Sequence, residues 1–167
     1  MSRQILVAGI GNIFLGDDAF GVEVVNELLR RPVPEAVCVS DFGIRCYDLA
    51  YAMMDGYKTT ILVDAAPRGE APGTLYLMEP AVEEIAAHQN VDAHSMNPMS
   101  VLQLVRALGG RPGKLYLVGC EPEVLESEQI ALSPSVRAAV PHAVTMIETL
   151  IGRLLNATPA TSAPSGA

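Results

Sequence analysis

Carboxylates gather where the chain leaves its first apolar run. In LVAGIGNIFLGDDAFG, residues 6–21, that run is broken by Gly9-Ile10-Gly11-Asn12 and followed by two adjacent acids, Asp17 and Asp18. A third acid, Asp64, closes the apolar run TTILV, and His94 lies in the polar stretch HQNVDAHSMNP. Two carboxylates and an imidazole on separate loops make an open metal site. Oxygen and neutral nitrogen donors suit a first-row divalent ion, and three protein ligands leave positions for something else. Taken singly, each residue has a plainer use. Asp18 can cap the helix that follows, Asp64 can satisfy loop backbone, and a loop histidine is usually a surface residue. His88 and His142 have nothing pointing to them and read as structural.

Two other chemistries compete for the same acids. Glycines between a strand and a helix are the usual cradle for a phosphate. Here, however, the third position of Gly-x-Gly-x-x-Gly is Phe14, and Asp17 and Asp18 would repel a pyrophosphate. A tight turn that lets the next loop approach the sheet edge is the better use for these glycines. The second rival is a phosphorelay receiver domain, with an acidic pair after strand 1 and Asp64 as the phosphoacceptor. That reading wants a lysine at the carboxyl end of the last strand, whereas Lys114 stands at its amino end.

The elements that must position these groups alternate in type. Strands are predicted at Gln4–Gly9, Val37–Ser40, Thr59–Val63, Gly73–Met78 and Leu115–Gly119. Helices are predicted from Phe20 to Leu29, at Tyr47–Met54, at Pro80–Ala87, after an Asn97 cap with Pro98 in the first turn, and from Ser133-Pro134 to about Leu155 with a kink at Pro141. Core strands apolar on both faces, alternating with helices, predict a three-layer α/β/α sandwich with a mainly parallel five-stranded sheet. The link from Val63 to Gly73 is too short for a crossover helix, so one strand is expected to be antiparallel and the sheet mixed. If the strand order begins 2-1-3, the Asp17-Asp18 loop and Asp64 become neighbours beyond the carboxyl ends of the strands. Asp64 and His94 are expected on exposed loops.

Composition bounds the rest. The 167 residues fit one domain, expected over 1–157, with the small, Pro-rich segment 158–167 disordered. Half the residues are hydrophobic and the net charge is −8, with no basic cluster, which argues against nucleic acid as a partner. No apolar run approaches the ~20 residues of a membrane span, and no export signal opens the sequence, so no membrane partner and a cytoplasmic location are expected. Cys38, Cys46 and Cys120 lie far apart without a Cys-x-x-Cys pair, which fits reduced thiols rather than a disulfide or zinc framework.

The residues also resemble a family, the NiFe-hydrogenase maturation endopeptidases. GIGNIFLGDDAFG resembles its opening motif, ILVDAA its central strand and acid, and PGTLYL and VGCEPE…LSPSV its later blocks, so that the match spans about Ile5 to Leu155. The resemblance implies an enzyme that removes a short C-terminal extension from the hydrogenase large-subunit precursor after nickel insertion. It implies Asp18, Asp64 and His94 as the catalytic and nickel-sensing residues, with nickel supplied by the substrate. Asp17 matches the acid beside the first of these. The expected partner is the large-subunit precursor alone, and the protein is expected to be a monomer. In DFGIRC, Phe42, Ile44 and Cys46 depart from a block often written Asp-Gly-Gly-Thr-x-Gly, and Ala131 replaces a frequent glycine, departures that bear on partner specificity. There is no Gly-x-Ser-x-Gly elbow, no His-Glu-x-x-His and no cysteine with a nearby histidine signature, so neither a serine, a zinc nor a thiol protease is supported.

Overall fold

A computed structural model describes residues 3–81, 97–125 and 130–157. The strands are β1 (Ile5–Ile10), β2 (Val37–Gly43), β3 (Thr59–Ala65), β4 (Leu75–Met78) and β5 (Lys114–Cys120). The helices are α1 (Phe20–Leu29), α2 (Cys46–Met53), α3 (Pro98–Ala107) and α4 (Pro134–Asn156), and a 3-10 turn, Gly16–Ala19, precedes α1. The sheet order is β2-β1-β3-β5-β4, with β4 antiparallel to β5 and every other pairing parallel. The mixed five-stranded sheet expected from the sequence is therefore present, and its order does begin 2-1-3.

Alternation along the strands makes the three layers. Ile5, Val7, Ile61 and Val63 point to one face, where they pack with α1 and α4. Leu6, Ala8, Ile10 and Leu62 point to the other and pack with α2 and α3. All six residues of β1 are buried, as a central strand covered on both faces requires.

Most elements begin and end within a few residues of the sequence reading. Asn97 caps α3 through its side chain, which accepts a hydrogen bond from Ser100 N at 2.9 Å, and Pro98 occupies the first turn. β2 continues past Ser40 to Gly43, with a register shift between Gly9 and Ile10 where β1 pairs with it. α4 runs as one helix through Pro141. The helix expected at Pro80–Ala87 and the tail 158–167 lie largely or wholly outside the described residues. Among the described residues, no helix is long and apolar enough to cross a membrane.

Candidate active site

The carboxyl ends of β1 and β3 form a switch point, because the chain goes from β1 outward to β2 and returns to β3 on the other side. Crevices of this kind are where open α/β sheets place their chemistry. What brings the acids here is a close approach of backbone. A Cβ on Gly21, in the first turn of α1, would lie 2.0 Å from Val63 O and 2.4 Å from Ile10 O. Only glycine lets α1 start wedged between the two strand ends. Gly11 has φ +139°, and a Cβ there would lie 1.8 Å from Asp18 O. The 3-10 turn carrying the acids is thereby folded down against the end of β1.

Asp18 closes that loop with its own side chain. Its Oδ2 accepts a hydrogen bond from Asn12 N at 2.9 Å. Gly11 N donates to Gly43 O, and Asp17 N to Val124 O, both at 2.9 Å. Amides of the glycine loop thus already have acceptors within the chain, one of them a carboxylate, so the loop is not arranged as a phosphate cradle. Asp64, within β3, is 7% exposed. Burial, joined by the negative charge of Asp18, raises its pKa well above the ordinary carboxylate range, against the opposing bond from the Ala65 amide. A like-charged pair at a buried strand end is an arrangement that a cation would relieve. The structure departs here from the exposed position expected for Asp64, because the strand continues through it and α1 covers its end.

Asp17 has a different task from its neighbour. It is fully buried. Its Oδ2 accepts from Glu123 N at 2.8 Å, Val124 N at 2.9 Å and Ser133 Oγ at 2.9 Å, and its Oδ1 accepts from Ser133 N at 2.7 Å. Burial alone would raise its pKa, but these bonds, those from Ser133, Val124 and Glu123, outweigh it and hold the carboxyl below its ordinary value. Asp17 therefore ties the segment after β5, and the start of α4, to the glycine loop. Glu121 works the same way on the far side. It accepts from Arg68 N at 2.8 Å, Gly69 N at 3.1 Å and Tyr76 Oη at 2.6 Å, fixing the loop after β3. Sequence reasoning missed Glu121, although its place directly after a strand's carboxyl end was the signal that marked Asp64.

The structure thus brings Asp18 and Asp64 together and turns Asp17 away from them. His94 lies outside the described residues, as does His88. Among the described residues, no three His, Cys, Asp or Glu side chains group as a metal-ligand set. The two buried thiols are poor nucleophiles: burial raises the pKa of Cys46, and burial together with the Asp17 and Glu121 charges pushes Cys120 up to about 12. Beside Asp18 opens a cleft of about 340 Å³ between residues 11–14 and 41–45. Phe14, Ile13 and Ile44 at this cleft are 63%, 46% and 62% exposed, and nothing in their spacing had marked them.

Comparison with known proteins identifies the family. A family model described as hydrogenase maturation protease matches residues 22–150. The hydrogenase 2 maturation protease of Escherichia coli is 34% identical over 147 residues, covering 86% of this chain and 88% of that protein. The chain belongs to the hydrogenase maturation protease family. Among solved structures, the hydrogenase maturating endopeptidase HybD from Escherichia coli superimposes with a TM-score of 0.74 at 31% identity, over 90% of this chain and 93% of that one. A hydrogenase 2 maturation peptidase from a Thaumarchaeota archaeon gives a TM-score of 0.70 at 30% identity, over 90% and 99%.

Membership of the maturation protease family agrees with the strand order. A doubly wound receiver has the order 2-1-3-4-5, whereas here an antiparallel β4 lies outside β5. Lys114 opens β5, at the end of the sheet opposite Asp64, and its ammonium lies 3.4 Å from Glu79. The receiver's lysine is therefore absent from the place that reading needs. The family blocks also acquire positions: Phe42 and Cys46, the first residue of α2, are buried in the core layer of α2 and α3, while Ile44 is exposed.

Proposed function

We propose that this protein is an endopeptidase that removes the C-terminal extension of a NiFe-hydrogenase large-subunit precursor once nickel is in place. In this reading nickel arrives as part of the substrate, and Asp18, Asp64 and His94 recognise it. The observation that carries the proposal is the buried Asp64 carboxyl beside Asp18 at the switch point of a hydrogenase maturation protease fold. Two carboxylates and an imidazole are a short ligand set for nickel, which gains from further donors. A precursor that already holds the ion through its own thiolates would complete it. Docking through the metal would fix the scissile bond beside the acids and reduce the entropic barrier to reaction. The partner's name in the E. coli relative, hydrogenase 2, supports the kind of substrate and not its identity.

The test is processing of a purified precursor with and without nickel, read by mass spectrometry. The nickel-loaded precursor should lose its extension, and the nickel-free one should stay intact. Asp18→Asn, Asp64→Asn and His94→Ala should each abolish cleavage. Recognition should weaken as the pH falls below about 6.5, where an unperturbed imidazole becomes protonated and cannot bind metal. Equal cleavage of the nickel-free precursor would remove nickel from the recognition step.

A further inference from the structure

The cleft beside Asp18 has walls that the fold does not explain. Phe14 and Ile44 belong to neither core, and both are more than half exposed. Exposed large apolar residues that cluster around one opening mark a binding surface more often than isolated ones do. Asn12 also lines the cleft, and Asn12 N is the group that holds Asp18 Oδ2. One residue, Asn12, thus both lines the cleft and holds Asp18.

Its charge narrows the occupant. Arg45 is the cation lining the cleft, and it is already engaged. Its guanidinium lies 3.3 Å from Asp48 Oδ2, donates to the Asp41 carbonyl, and stacks 5.8 Å from the centre of the Phe42 ring. Asp41 also lines the cleft, its Oδ1 accepting from Gly43 N at 2.8 Å, and Asp18 stands behind Asn12. An acidic group entering here would meet the Asp41 carboxylate, with Asp18 behind Asn12, and an arginine whose guanidinium already has partners in Asp48 and the Asp41 carbonyl. A large uncharged side chain would meet Phe14, Ile13 and Ile44.

We infer that the cleft reads one large apolar side chain of the precursor, within a few residues of the scissile bond, with Phe14 and Ile44 as the specificity-determining walls. This rests on the proposed function and adds to it the class of residue recognised. Both walls are exposed, so changing them leaves the cores untouched.

The experiment uses nickel-loaded precursors in which each of the three residues on either side of the cleavage junction is changed in turn to Asp. Each is processed by the wild type, by Phe14→Ala and by Ile44→Arg, whose folding is checked by circular dichroism and melting. One position should tolerate Asp poorly in the wild type, with kcat/KM reduced at least roughly 10-fold, the lower end of what a mismatched apolar pocket imposes. Ile44→Arg should recover that precursor and lose efficiency on the unchanged one, and Phe14→Ala should lose efficiency on the unchanged one. If all three proteins process every precursor alike, the inference is wrong while the maturation reading stands. If the wild type cuts no nickel-loaded precursor, both readings fall together.

Discussion

Two carboxylates near one loop, Asp64 and Asp17, have opposite fates, and their surroundings set each one. Asp64 sits against the field of Asp18 in a place closed to water. Because its folded-state pKa lies above its unfolded value, its neutral form suits the fold, and stability is lost as the pH rises through the folded value. Asp64→Asn keeps the shape and removes that loss. In chelator-treated protein at pH 7, we expect the variant to melt higher than the wild type by at least about 2–4 °C, the effect of about 1 kcal/mol in a domain of this size. The gap should close as the pH approaches 4, and a lower melting temperature at pH 7 would show that the ionised carboxyl is well accommodated. Asp17 has the opposite sign: its pKa is depressed, so its contribution is present above the ordinary carboxylate range and lost on acidification through the folded value. Residue type and spacing did not separate the two adjacent aspartates, and only the family resemblance set Asp18 apart. A 3-10 turn rotates about 120° per residue, so neighbours on Gly16–Ala19 face different partners. That rotation was not legible, because no pattern in GDDA specifies a 3-10 turn.

At the scale of elements, the site depends on where α1 starts. Gly21 lies between the carbonyls of Val63 and Ile10, and backbone cannot yield as a flexible side chain can. Gly21→Ala should destabilise the protein by at least roughly 1–3 kcal/mol, as overpacking of a tight core does. It should also weaken precursor processing, since any shift of α1 moves Asp18 relative to Asp64. Denaturant melts and the processing assay together test this, and a wild-type midpoint would mean that the strand ends can separate at little cost. The strands and the helix starts were legible because their residues obey local rules: the unbroken apolar run of Ile61–Val63, the Asn97-Pro98 cap, the short link that forces β4 to be antiparallel. The extra length of β2 was not, since Asp41 and Gly43 read as turn residues. Their strand pairing comes from β1 alongside, where Ile10 takes Gly43 as its partner. The apolar cleft escaped for a similar reason, being assembled from residues about 30 apart that neither alternate nor repeat.

For the whole molecule, one sheet is shared by two apolar layers, and side-chain hydrogen bonds join its distant ends. Asp17 reaches Glu123, Val124 and Ser133, and Glu121 reaches Arg68, Gly69 and Tyr76. Such ties between early and late segments favour a single cooperative unit, and we expect one unfolding transition with equal calorimetric and van't Hoff enthalpies. Asp17→Ala leaves three part-buried amides and the Ser133 hydroxyl without the acceptor that Asp17 supplies, at a cost of about 3 kcal/mol. The melting temperature should fall by roughly 6–12 °C. Two separate transitions in the wild type would show that the layers melt independently.

The Asp17 tie also has a direction in time. A ribosome makes Asp17 and Asp18 long before it makes Ser133, 116 residues after Asp17. Until that serine has left the exit tunnel, the acidic turn has no lock, and β5 and α4 are not there to hold the sheet edge above it. The acidic turn is thus made first and locked only when a much later segment arrives, so that a growing chain halted between the two presents the acids without the architecture that would let them act.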